Sequence, residues 1–133
     1  MGGGYGIVLK DRSESAFFYA PGVLNSRPIE FYHHLISSPF QGGWFYHARQ
    51  FLEPLPPPPE GAAESSAAIA KPAQDLTEAH ARHSELVEGI DRYKEDLGEM
   101  DELEARLDRL TLNLFNITSE EEKLLPPRST ARP

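Results

Sequence analysis

Cysteine is absent from the 133 residues, which excludes disulfides, thiolate zinc or iron–sulfur ligation and a thiol nucleophile. Basic charge is scarce: 13 Lys and Arg stand against 21 Asp and Glu, a net charge of −8. Broad binding to a phosphate backbone needs clustered bases, so nucleic acid is not an expected partner. No run approaches the roughly 20 apolar residues that span a bilayer. Ile7-Val8-Leu9 is too short for the apolar core of a signal peptide and has no basic flank, so an intracellular, non-secreted protein is expected. Gly6 stands where a myristoylation pattern starting at Gly2 calls for Ser or Thr. Apolar side chains make up only 39%, while 12 Pro and 10 Gly interrupt the chain, so one large core is not expected.

What is present is unevenly distributed. Residues 1–53 hold eleven of the thirteen aromatics, with four bases balanced by four acids. Residues 54–73 read PLPPPPEGAAESSAAIAKPA, the composition of a spacer: extended polyproline II at Pro56 to Pro59, then a flexible Ala-Ser stretch. Its PxxP frame lacks the adjacent base that would mark a ligand for a proline-binding groove. Residues 74–118 carry most of the acidic excess, and residues 119–133 form a short helical turn and a loose tail.

Residues 74–118 give the clearest periodicity. Asp75 and Glu78 form a capping box. Apolar or semi-apolar residues then fall at Leu76, Ala79, His83, Leu86, Ile90, Tyr93, Leu97, Met100, Leu103, Leu107, Leu110, Leu114 and Ile117. The steps alternate between three and four, with one extra three-residue step before Leu103, which is a coiled-coil seam with a stammer. A single long helix with so narrow a stripe needs a partner helix, from a second copy or another protein. Gly89 and Gly98 lie off the seam. His83 lies on it, where two facing copies would oppose association once protonated below about pH 6.5. Ser119 and Glu122 form a second capping box, and Pro126-Pro127 end that turn.

The aromatic block predicts short elements. Tyr5 to Leu9 and Ala16 to Ala20 are β-favouring runs suited to a hairpin, and Pro21-Gly22 turns the chain after them. Ser26 or Asn25 caps a helix over Arg27 to Ser37, Gly42-Gly43 breaks the chain, and Trp44 to Leu52 form a last helix. The fold class expected is mainly α: a long C-terminal coiled-coil-like helix, a small aromatic-rich region with short helices and a hairpin, and a Pro/Ala linker between them. A block this small, without disulfides, has little to close a core with. Its aromatics suit anchoring in pockets on another protein.

Chemistry has little to stand on. GGGYG lacks the spacing of a nucleotide loop, and no GxSxG elbow occurs. Glu30-Phe31-Tyr32-His33 has the ExxH spacing of di-iron helices but no second copy, and His80 with His83 lacks a third ligand. No catalytic residue, cofactor or metal is therefore expected. The function expected is a non-catalytic structural or assembly subunit. Anchors would be Phe17, Phe18, Trp44, Phe45, Tyr46 and Phe51. Helix pairing would use Leu86, Ile90, Tyr93, Leu97, Met100, Leu103, Leu107, Leu110 and Leu114. A self-associating coiled-coil homo-oligomer with an N-terminal binding head is the alternative, and a small metal-binding enzyme the third.

Overall fold

The structure, a computed structural model, describes residues 5–56, 63–85 and 91–127. The chain is mainly helical: α1 (Glu14–Leu24), α2 (Arg27–Ile36), β1 (Pro39–Phe40), β2 (Trp44–Phe45), α3 (Arg49–Leu52), α4 (Ala63–Ser84), α5 (Asp91–Leu114) and α6 (Ser119–Glu122). Gly2 to Gly4, Pro57 to Pro59, Leu86, Gly89, Ile90 and the tail from Arg128 lie outside the described residues.

Among the described residues α4 is the central element, packed by α1 and by α5. Seven buried side chains meet there: Tyr19 and Val23 from α1, Ile29 from α2, Ile69, Ala70 and Ala73 from α4, and Leu107 from α5. Burying each large aliphatic side chain is worth about 1.5–3 kcal/mol. Gly22 permits the α1–α4 approach, because a β-carbon there would sit 3.0 Å from Ile69 Cγ2 and 3.1 Å from Ala73 Cβ.

This packing overrides three local signals. Ala16 to Ala20 are helix, not strand, and Pro21-Gly22 lie inside α1 rather than in a turn. The Ser13 side chain accepts from the Ala16 N–H to start that helix. Pro21 and Pro72 each sit within a helix at a cost of about 3 kcal/mol, offset by the burial around them. Residues 63–73, read from composition as a spacer, are the first half of α4 and supply three core residues. Asp75 is consequently inside a helix rather than capping one, and accepts from Lys71 Nζ at 2.5 Å.

The expected single seam is divided between α4 and α5, which run antiparallel. Arg82 meets Asp96 and Glu99, and His83 meets Tyr93, while Leu107 packs with Ile69, Ala70 and Ala73. Ala79 and Met100, both fully buried, lie between those contacts. The apolar stripe therefore closes on its own chain, where an external helix had been expected. His83 packs on Tyr93 of the same chain at a ring separation of 4.1 Å.

The C-terminal segment folds back. Asn116 at φ 54° ends α5, with the Ile117 N–H donating to the Leu112 carbonyl. The capping box of α6 is set one residue earlier than the sequence suggested: Thr118 and Glu121 cap each other. Arg27 then holds the segment, its guanidinium donating to the carbonyls of Leu125 and Pro126 and pairing with Glu122 at 3.2 Å.

A hairpin does form, but at Pro39–Phe45 rather than at the expected place. Gly42 and Gly43 adopt φ of 85° and 81°, and this turn pairs Pro39 with Phe45 and Phe40 with Trp44. Trp44 and Phe45 are thereby strand residues, and only Arg49–Leu52 of the expected last helix is helical.

Candidate docking surface

The aromatic block divides into residues that close the fold and residues left open. Phe18 packs against the core cluster, Phe45 stacks on His34 with ring centroids 3.9 Å apart, and Phe51 is half-buried. Phe17, Trp44 and Tyr46 are exposed, Trp44 to 68% and Phe17 to 65%. Tyr5, Ile7, Val8, Tyr32 and Leu35 are exposed as well. Among the described residues, Leu124 is the one exposed large apolar side chain outside the first 46 positions.

Helix α1 and the chain before it shape part of this surface. Tyr5, Ile7, Val8 and Leu9 lie opposite Phe17, Pro21 and Leu24 across a cleft of about 640 Å³. The Asp11 carboxylate accepts the Ser13 N–H at 2.9 Å, which holds it below the usual carboxylate range and ties the approach segment to the start of α1. Most of the cleft lining is apolar, with Asp11, Arg12 and Ser13 at the helix start.

The hairpin that carries Trp44 is fastened to α2. Ser37 Oγ donates to the Tyr46 carbonyl at 2.6 Å, and His33 Nε2 lies 3.1 Å from the same oxygen. A carbonyl oxygen can only accept, so the imidazole must carry its proton on Nε2. The Tyr46 N–H donates to the Ser38 carbonyl at 3.2 Å. His47 stacks on His33 at 4.5 Å, and His34 on the other side takes Phe45. Burial pushes the His33 pKa below the ordinary histidine value, reinforced by His47 and His34 and opposed by the Tyr46 hydrogen bond and Glu30.

The helix-pairing candidates are distributed differently. Met100 and Leu107 are buried, Leu110 and Leu114 pack on the core, and Tyr93, Leu97 and Leu103 are half-buried. Leu86 and Ile90 lie outside the described residues.

Two polar groups were missed from sequence. His33 sits one helical turn beyond Ile29 and is only 4% exposed, so it shares the buried face of α2 with Ile29 rather than with Glu30 of the ExxH pattern. Asp96 lies three residues after Tyr93 and four before Met100, which places it on the seam, where it is buried. Its Oδ1 is 3.9 Å from Arg82 Nε, and its Oδ2 has no hydrogen-bond partner. Arg82 also pairs with Glu99 at 2.8 Å in a polar cleft with Arg92 and Glu95. Among the described residues no three His, Asp or Glu side chains converge to hold a metal ion, His80 and His83 included. No described helix is long and apolar enough to cross a membrane.

No family model, curated protein or solved structure matches the chain.

Proposed function

We propose that the protein is a non-catalytic assembly subunit that docks on a protein partner through its N-terminal aromatic face, with the α4–α5 pair as scaffold. The observation that supports this reading is the distribution of exposed apolar side chains. Phe17, Trp44 and Tyr46 stand in solvent while the leucine stripe of α5 is turned inward. Tyr and Trp gain most from docking because they bury a large area with little side-chain entropy to lose. The exposed set lies in the block whose charges balance, so its attraction is apolar rather than ionic.

The other two readings have less support. A coiled-coil homo-oligomer would need the seam that Met100 and Leu107 already bury within the chain. Metal chemistry would need a third ligand beside the histidines.

Affinity capture with the full chain and variants tests the docking reading. A stoichiometric protein partner held by the wild type should be lost with Trp44→Ser or Phe17→Ser. It should be kept by Glu102→Gln on the exposed face of α5, with circular dichroism unchanged in all three. Equal retention by every variant contradicts the reading. A second copy of the chain as the captured partner would make the face a homo-oligomer interface.

A further inference from the structure

The hairpin carrying the exposed Trp44 is held to the end of α2 by the Ser37 hydroxyl and the Tyr46–Ser38 backbone bond, and beside them by a cluster of imidazoles. His33 and His47 stack at 4.5 Å, and the His33 and His34 rings lie 6.0 Å apart. We propose that this cluster is an acid-sensitive latch: protonation of His33 frees the hairpin from α2 and repositions Trp44, while the helical core stays folded.

His33 is buried on the face of α2 that also buries Ile29, and its one observed hydrogen bond goes to the Tyr46 carbonyl on the hairpin's exit. A proton on His33 keeps that donor but places a cation in a site with little water, face to face with a second titratable ring. The titratable groups acting on His33 are Glu30 and His34 from α2 and His47 from the hairpin's exit. On α3, Arg49 is engaged by Glu53 at 2.6 Å, and no charged group of α5 acts on His33 among the described residues. Of the charged groups acting on His33, Glu30 offsets the positive charge, as does the hydrogen bond to the Tyr46 carbonyl, and burial with the neighbouring rings outweighs both.

The sign follows from the lowered folded-state pKa. The neutral form favours the latched state, so the latch contributes in full above the unfolded value of about 6.5. It weakens as pH falls below that value and is lost once pH drops through the lower, folded value. The core has no share in this, because none of its seven clustered residues is a histidine. Hairpin release therefore precedes loss of the helices. The latch is independent of the docking reading, since hairpin release is measurable with no partner present.

Nuclear magnetic resonance on the full-length chain tests it. Between about pH 7.5 and about pH 5, cross-strand proton contacts for the Phe40–Trp44 and Pro39–Phe45 pairs should fall by roughly half or more. Their midpoint should coincide with the His33 ring titration, below about 6.5, and with a shift in Trp44 fluorescence. Trp44 is the sole tryptophan, so that emission reports the hairpin alone. The helical circular dichroism signal should hold throughout.

His33→Gln can still donate an N–H toward Tyr46 but does not titrate, and should flatten the pH dependence. Cross-strand contacts that persist while His33 protonates overturn the latch, as does an unchanged transition in His33→Gln. If the variant lacks the hairpin at every pH, the wild-type coincidence decides alone.

Discussion

A β-carbon at Gly22 would press on Ile69 Cγ2 at 3.0 Å and on Ala73 Cβ at 3.1 Å, whereas one at Gly98 meets nothing within 4 Å. Both glycines sit inside helices, where alanine is intrinsically better by about 0.5–1 kcal/mol. The environment should reverse the sign at one of them. Gly98→Ala is expected to raise stability by about 0.5–1 kcal/mol in urea unfolding. Gly22→Ala is expected to lower it by about 1–2 kcal/mol, since Ile69 is itself buried and has nowhere to retreat. Leu107→Ala removes the one fully clustered side chain from α5, leaving Leu110 and Leu114 at the edge, and should cost about 2–4 kcal/mol. Sequence patterning placed Leu107 on the apolar stripe but gave no hint of Gly22, because a close approach depends on what lies opposite.

At the scale of elements, the C-terminal segment depends on one side chain. Arg27 donates to two backbone carbonyls and pairs with Glu122, a fork that the single ammonium of lysine does not reproduce. Arg27→Lys should therefore release α6 from the start of α2. Hydrogen exchange should show faster exchange of the Leu124 and Leu125 amides, which donate to Glu121 and Glu122, with α4 and α5 unchanged. Protection equal to wild type contradicts the clamp. Helix α2 was legible at its start, where Ser26 precedes Arg27-Pro28, but not in its inner face, which buries His33 beside Ile29 and leaves Tyr32 and Leu35 exposed. Helix α1 was not, because Phe17, Phe18 and Tyr19 favour strands and Pro21-Gly22 favour a turn. Its helical state follows from contact with α4, some 47 residues further along the chain. Residues 63–73 were opaque for a related reason: Ile69 is their one large apolar side chain, so no stripe announces the helix.

For the whole molecule, the three-four periodicity from Leu76 onward is shared between α4 and α5, and Met100 and Leu107 on it are buried within the chain. A stripe shared by two antiparallel helices of one chain has the same spacing as a stripe along one long helix. The contacts of Arg82 with Glu99, and of Leu107 with Ile69, show which of the two holds here. The aromatic block was legible as a concentration of rings, but its division into inward Phe18, Phe45 and Phe51 and outward Phe17, Trp44 and Tyr46 requires the fold. Two apolar surfaces are thereby separated, one closed within the chain and one exposed, which the proposed docking would cover.

Oxidative footprinting of the purified chain, alone and with its captured protein partner, tests that separation residue by residue. In the free chain Trp44, Phe17 and Tyr46 should oxidise readily, while Met100, 1% exposed despite its reactive thioether, should resist. In the complex Trp44 and Phe17 should become protected with Met100 unchanged. A reactive Met100 in the free chain, or Trp44 and Phe17 equally reactive in both states, would contradict the account.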